Sequence, residues 1–282
     1  MHGSATSTRI LMLHRVLDDV RAAFGLPGCY RLRGTALTEG ELDRVLDAAA
    51  PILPLDAVEQ ALATGQPLPP GNVLTFDDGY REHLDRVAPR LVARGATATF
   101  YVAAGLHGDG TDTAVVDAWY WLLDHANQAT ARVRLPGGGT FRERVDTLEG
   151  KRAWVEGPPK AALLAATTAG QAAMIADLAA SVGCEPPSDL APRLYLRRSE
   201  WSDLAALGMR VGAHSVTHPC LTRVDDPTLA AEVLASADAV RPLHDAVTFA
   251  YPDGDHDERV VREVARAALR SAVTCDPGPV TR

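Results

Sequence analysis

The chain of 282 residues lacks an apolar run long enough to span a bilayer, so no transmembrane segment is expected. It also lacks a basic excess: 28 Lys and Arg stand against 36 Asp and Glu, a net charge of −8. With no basic run, no RNA-binding aromatic motif and no Lys/Arg stripe, the electrostatic case for a nucleic-acid or anionic-membrane partner is absent. Cysteine is scarce and scattered. Cys29, Cys184, Cys220 and Cys275 show no C-x-x-C spacing, which excludes a zinc knuckle or a redox motif. The opening Met1 to Arg9 has no basic stretch followed by an apolar core, so it does not read as a signal peptide, and a cytoplasmic location is expected. What is abundant is hydrophobic residues, 46% of the chain, enough to build the core of one large domain or two small ones.

Two short polar clusters stand out against that background. Thr75-Phe76-Asp77-Asp78-Gly79-Tyr80 follows the apolar Val73-Leu74 and precedes a helical pattern. Successive side chains at a strand end point to opposite sides. One carboxylate can therefore bind a metal while its neighbour takes a proton from water. Taken alone, the Asp-Gly dipeptide reads as an ordinary turn. The second cluster is His214-Ser215-Val216-Thr217-His218, after the strand-like Met209 to Ala213. Histidines four apart share one face if the chain turns helically, a spacing that suits two imidazole ligands on one cation. One Asp and two His leave coordination positions open, the mark of a catalytic rather than a structural site.

At these residues the chain resembles the polysaccharide deacetylases, the NodB-homology family or carbohydrate esterase family 4. Thr75 to Gly79 matches the family's T-F-D-D-G motif. His214, Ser215 and His218 match H-[ST]-x-x-H, and Pro252-Asp253-Gly254 matches P-x-G. The resemblance implies Asp77 as general base and Asp78, His214 and His218 as ligands of one divalent metal. That metal is most simply Zn2+, with Co2+, Ni2+ or Fe2+ as further options. It also implies that the Asp253 backbone N–H helps to hold the oxyanion, while Ser215 supports the turn between the histidines. Two departures stand out. Thr248 to Tyr251 carries no arginine to brace the base, and no histidine follows His256 to act as the late general acid. Ile10-Leu11-Met12-Leu13-His14 instead resembles the opening of a circularly permuted subgroup acting on poly-N-acetylglucosamine, which implies His14 as general acid. Tyr80, Tyr251, Pro252 and Trp119 are taken as candidate substrate contacts.

The rest of the chain alternates strands and helices. Strands are expected at Arg9 to His14, Val73 to Phe76, Thr97 to Val102, Met209 to Ala213, Val247 to Tyr251 and Ser271 to Cys275. Helices are expected from a Thr38–Glu41 capping box, over Arg81 to Arg94, from Ser199 to Leu207, from Asp226-Pro227, and over Asp257 to Leu269. This order argues for a parallel sheet with covering helices, an α/β fold. The resemblance implies a distorted (β/α)7 barrel of NodB-homology type in a single domain over 1–282. A mainly helical insertion occupies about 105–194 and holds the aromatic Trp119, Tyr120 and Trp121. The expected activity is metal-dependent removal of N-acetyl groups from an N-acetylamino sugar. The alternatives are an amidase or cyclic-ureide hydrolase on non-sugar C–N bonds, a non-catalytic sugar binder and a metal-storage protein.

Overall fold

The computed structural model describes residues 7–18, 21–278 and 280. Met1 to Thr6, which carry most of the segment read above as no signal peptide, lie outside the described residues. Chain contacts divide the protein into two compact units. One is formed by Met1–Val16, Thr38–Asp112 and Ala191–Arg282. The other is formed by Leu17–Leu37 and Thr113–Leu190.

The first unit is built on a curled sheet of six strands: β1 (Thr8–Leu13), β2 (Gly71–Phe76), β3 (Thr99–Val102), β4 (Arg210–Ala213), β5 (Thr248–Ala250) and β6 (Ser271–Val273). They pair in chain order, every pair parallel, and among the described residues β1 and β6 are not paired with each other. The distorted barrel that the sequence implies is thus a half-barrel, with six strands joined among the described residues rather than seven. Parallel strands need crossover connections, and those helices cover the sheet, so β2 is buried along its whole length. Leu74, Phe76, Phe100, Val211 and Phe249 pack against Leu42, Leu46, Leu91, Leu204 and Val233. Each such side chain contributes roughly 1.5–3 kcal/mol of burial.

Local chemistry sets the helix starts. Thr38 Oγ1 accepts the Glu41 N–H at 3.2 Å, and Glu41 Oε2 accepts the Thr38 N–H at 2.7 Å, closing the capping box of Glu39–Ala48. Asp225 caps Asp226–Val240, and Asp257 caps Glu258–Arg266. The helix from Arg198 to Ala206 starts ahead of the Ser199 cap expected for it: the Arg197 N–H bonds Glu200 Oε2 at 2.6 Å. The expected helix over Arg81 to Arg94 is interrupted too. His83–Val87 forms a π turn before Ala88–Ala93. Pro89 has no N–H to offer Asp85, so the preceding turn widens, and the Ala88 N–H reaches back five residues to the His83 carbonyl.

The second unit has its own core of Trp119, Tyr120, Leu122, Val133, Trp154 and Leu178. A hairpin, Thr130–Arg134 with Thr140–Arg144, joins helices Val115–Asp124, Leu148–Glu156, Pro158–Ala165 and Thr168–Val182. Leu17–Leu37 belongs to this unit through both apolar and polar contacts: Cys29 lies in its core, with Tyr30 and Leu32 packed against it. The Cys29 N–H donates to both oxygens of Asp124 (3.0 and 3.1 Å). The fully buried Lys151 sits 2.7 Å from Asp124 and donates to the Pro27 carbonyl at 2.9 Å. No described helix is long and apolar enough to cross a membrane.

Candidate active site at the carboxyl edge of the sheet

Parallel pairing puts the carboxyl ends of all six strands on one edge, the edge where α/β folds place chemistry. β1 hands over to His14, β2 to Asp77 and Asp78, β4 to His214, and β5 to Tyr251–Gly254. Leu13 and Phe76 are register partners, and the Asp77 N–H donates to the Leu13 carbonyl at 3.0 Å. His14 and Asp77 therefore leave neighbouring strands side by side.

Asp78 adopts φ +76°, a left-handed conformation costing about 1–2 kcal/mol in a residue other than glycine. The bend leaves Asp78 Oδ1 3.4 Å from His214 Nε2 and 3.2 Å from His218 Nε2. Burial alone would raise the Asp78 carboxyl, but the two imidazoles outweigh it and hold its pKa well below the usual carboxylate range. The His214 Nδ1 lies 2.8 Å from the Ala250 carbonyl, which can only accept, so Nδ1 carries a proton and Nε2 is the ring nitrogen turned towards Asp78. The histidines do not share a helix face, as their spacing suggests. Ser215 at φ +60° and His218 at φ +57° make a tight turn, and the buried Ser215 Oγ accepts the His218 N–H at 3.0 Å.

One donor atom from each of Asp78, His214 and His218 lies within 4.8 Å of the others. Four ligands around one Zn2+ at about 2.1 Å stand roughly 3.4 Å apart. The observed separations match, and Asp78 Oδ1 is buried with no hydrogen-bond partner among the described residues. The donor set thus fits a divalent cation. Asp77 differs: it is 5% exposed, and its Oδ1 likewise has no hydrogen-bond partner. Burial raises its pKa; His214 and His14 oppose that, and Asp78 adds to it.

The Pro252–Gly254 turn places Asp253 at φ +54°. A Cβ on Gly254 would stand 2.7 Å from Cys275 Cβ, so only glycine lets this loop close on the end of β6. A cleft of about 1030 Å3 opens between β1 and β6 and reaches Asp77; Met12, Thr75, Tyr251, Ser271 and Cys275 line it.

The expected substrate contacts divide. Tyr251 lines this cleft and stacks on His256 at 5.1 Å, and Pro252 is buried beside it. Tyr80 is 2% exposed and packed against the Arg15 guanidinium (4.3 Å) and the Tyr195 ring (5.7 Å), so it is a packing residue. Trp119 has no exposure. It lies against Trp154 in the core of the second unit, with no ring face for a sugar.

Sequence reasoning missed Glu232. From the helix Asp226–Val240, its buried carboxylate accepts the Val216 N–H (2.6 Å), the Thr217 N–H (2.9 Å) and the Thr217 hydroxyl (2.6 Å), bracing the histidine turn. The signal was present: Glu232 falls on the stripe of Leu229, Val233, Ser236 and Val240 that packs inward.

A family model described as polysaccharide deacetylase matches residues 178–272, which hold the His214–His218 and Pro252–Gly254 motifs. Three solved structures show the same fold. A Streptococcus pyogenes deacetylase, PplD, in complex with acetate has 16% identity and a TM-score of 0.59, covering 99% of this chain and 88% of its own. IcaB from Ammonifex degensii has 15% identity and a TM-score of 0.53, covering 95% and 82%. The deacetylase domain of BpsB from Bordetella bronchiseptica has 17% identity and a TM-score of 0.54, covering 96% and 89%. At these identities the likeness is one of fold. No curated protein matches the chain. Residues 178–272 thus resemble the polysaccharide deacetylase family, and the chain as a whole shares its fold with these deacetylase structures.

Proposed function

We propose that the protein is a metal-dependent hydrolase that removes the acetyl group from an N-acetylamino sugar, giving acetate and the free amine. One observation carries this reading: the buried Asp77, whose Oδ1 has no hydrogen-bond partner among the described residues, lies beside the Asp78–His214–His218 cluster in the chain and beside His14 across the sheet. Asp78, His214 and His218 would hold the ion. Zn2+ suits one carboxylate and two imidazoles, and Co2+, Ni2+ and Fe2+ accept the same donors. Such an ion, when bound, polarises the amide carbonyl and acidifies water.

The side chains do the rest. Asp77 takes a proton from the attacking water as its oxygen bonds the acyl carbon. The Asp253 N–H, at the start of a single turn and so without an acceptor inside it, donates to the developing oxyanion. His14 delivers a proton to the amide nitrogen as the C–N bond breaks, so the amine leaves neutral. Tyr251 lies where the cleft meets Asp77 and contacts the sugar.

The test is acetate release from free, nucleotide-linked and oligomeric N-acetylamino sugars, using metal-stripped protein and protein reloaded with Zn2+. Release that needs metal supports the reading, and the preferred sugar names the substrate class. Turnover of allantoin or formamides with none of any sugar would move the assignment to hydrolysis of non-sugar C–N bonds.

A further inference from the structure

We propose that His83, together with the Arg15–Glu82 ion pair, is a positioning device that fixes where His14 stands over the reacting nitrogen. The inference rests on the reading of His14 as proton donor given above.

His83 has no exposure, and its Nε2 lies 2.8 Å from the backbone carbonyl of His14. A carbonyl only accepts, so Nε2 carries the proton. Nδ1 is then a bare acceptor, buried without a hydrogen-bond partner among the described residues. The ring is packed against Phe76 (5.6 Å), Phe100 (5.3 Å) and Tyr80 (5.9 Å). Among such neighbours a leucine or phenylalanine would pack without burying an unused polar atom. What the imidazole supplies in return is its one hydrogen bond, and that bond ends on the main chain of His14.

The next residue along is held in the same way. Arg15, 7% exposed, meets Glu82 through two bonds, Nε to Oε1 at 2.7 Å and Nη2 to Oε2 at 3.3 Å, with its guanidinium over the Tyr80 ring. Consecutive residues 82 and 83 thus grip consecutive residues 14 and 15. Upstream, the Leu13 carbonyl is taken by the Asp77 N–H. The backbone of His14 is therefore pinned on both sides, while its ring stays half-buried, near enough for its charge to act on both Asp77 and Asp78. His83 opens the π turn, a local geometry often kept where function needs it. Among the described residues β1 lies at an edge of the six-stranded sheet and is paired on one side only. The His83 and Arg15 contacts add restraint where that pairing ends.

A proton donor matters for a poor leaving group and hardly at all for a good one. Two probes separate these cases: an N-acetylglucosamine pentamer, whose amine must be protonated, and 4-nitrophenyl acetate, whose phenolate leaves unaided. His14→Ala should lower pentamer turnover by about 100-fold or more and spare the ester. His83→Leu should lower pentamer kcat by about tenfold at unchanged KM, again sparing the ester, because a displaced donor loses rate and not binding. His83→Gln, which restores an N–H at similar reach, should recover most of the loss. Thermal melts confirm that each variant is folded. If His83→Leu does not fold, Glu82→Gln, which loosens Arg15 at constant shape, should show the same selectivity in smaller measure. Equal losses on both probes in the folded variant, or unchanged pentamer turnover, overturn the proposal. If His14→Ala itself fails to discriminate, or the wild-type protein turns over neither probe, the reading of His14 fails and the inference falls with it. If His14→Ala discriminates and His83→Leu does not, only the positioning role is lost.

Discussion

Asp77 and Asp78 are adjacent and chemically identical, and their surroundings separate them. Asp78 faces two imidazoles at 3.4 and 3.2 Å, while Asp77 is buried and its Oδ1 has no hydrogen-bond partner among the described residues. The separation was legible in sequence because a strand end sends neighbouring side chains apart. Residues whose role depends on distant packing were not. Trp119 and Tyr80 look alike in sequence to sugar-stacking aromatics, and only the fold reveals that one lies in the core of the second unit and the other against Arg15. His83 was equally silent, since its partner is a main-chain oxygen 69 residues away. It carries a pH signature. Burial lowers its pKa from 6.5 to about 4. Between those values the unfolded chain binds the proton and the folded chain does not, so stability is complete above pH 6.5 and falls as pH drops towards 4. The full difference is roughly 3 kcal/mol. Urea unfolding at pH 7 and pH 4.5 should show a smaller loss in His83→Gln than in wild type; an identical loss would show that the imidazole stays solvated.

At the scale of elements, the Thr38 capping box was the most readable feature because it acts within three residues of itself, whereas the start expected at Asp226 is capped one residue earlier by Asp225 and the cap expected at Ser199 lies at Arg197. The π turn at His83–Val87 was not read, although Pro89 supplies its cause. The histidine spacing also fits a helix, and the turn that forms instead takes its brace from another element. Glu232 supplies that brace through three charge-assisted bonds. Glu232→Ala should leave two backbone N–H groups without an acceptor and weaken metal binding by about 10–100-fold. Competition against a chelating dye measures this. An affinity within twofold of wild type would show that the turn holds itself. Glu232→Gln, which keeps the shape and part of the hydrogen bonding, should fall between.

Over the whole molecule, alternation of strands and helices was enough to predict a parallel α/β sheet with its motifs on one edge. It did not predict that Leu17–Leu37 joins the unit built from Thr113–Leu190. That junction depends on Asp124, Lys151 and Cys29, which are far apart in sequence and carry no motif. Replacing Lys151 with Met should destabilise the protein by roughly 3 kcal/mol by leaving Asp124 without its counter-charge, while metal binding at Asp78, His214 and His218 stays normal. Urea unfolding and metal titration on the same variant check both halves of that expectation. Binding of the ion should in turn raise global stability by about 2.7 kcal/mol at a concentration 100 times its Kd, a gain His214→Ala should lose.

The central claim is that one carboxylate of the pair holds a metal and the other moves a proton. The most direct test measures bound metal and acetate release on the same samples of wild type, Asp77→Asn and His214→Ala. The account predicts metal and release in wild type, metal with turnover lowered by about 100-fold or more in Asp77→Asn, and neither in His214→Ala. Near-normal acetate release from metal-loaded Asp77→Asn would contradict it.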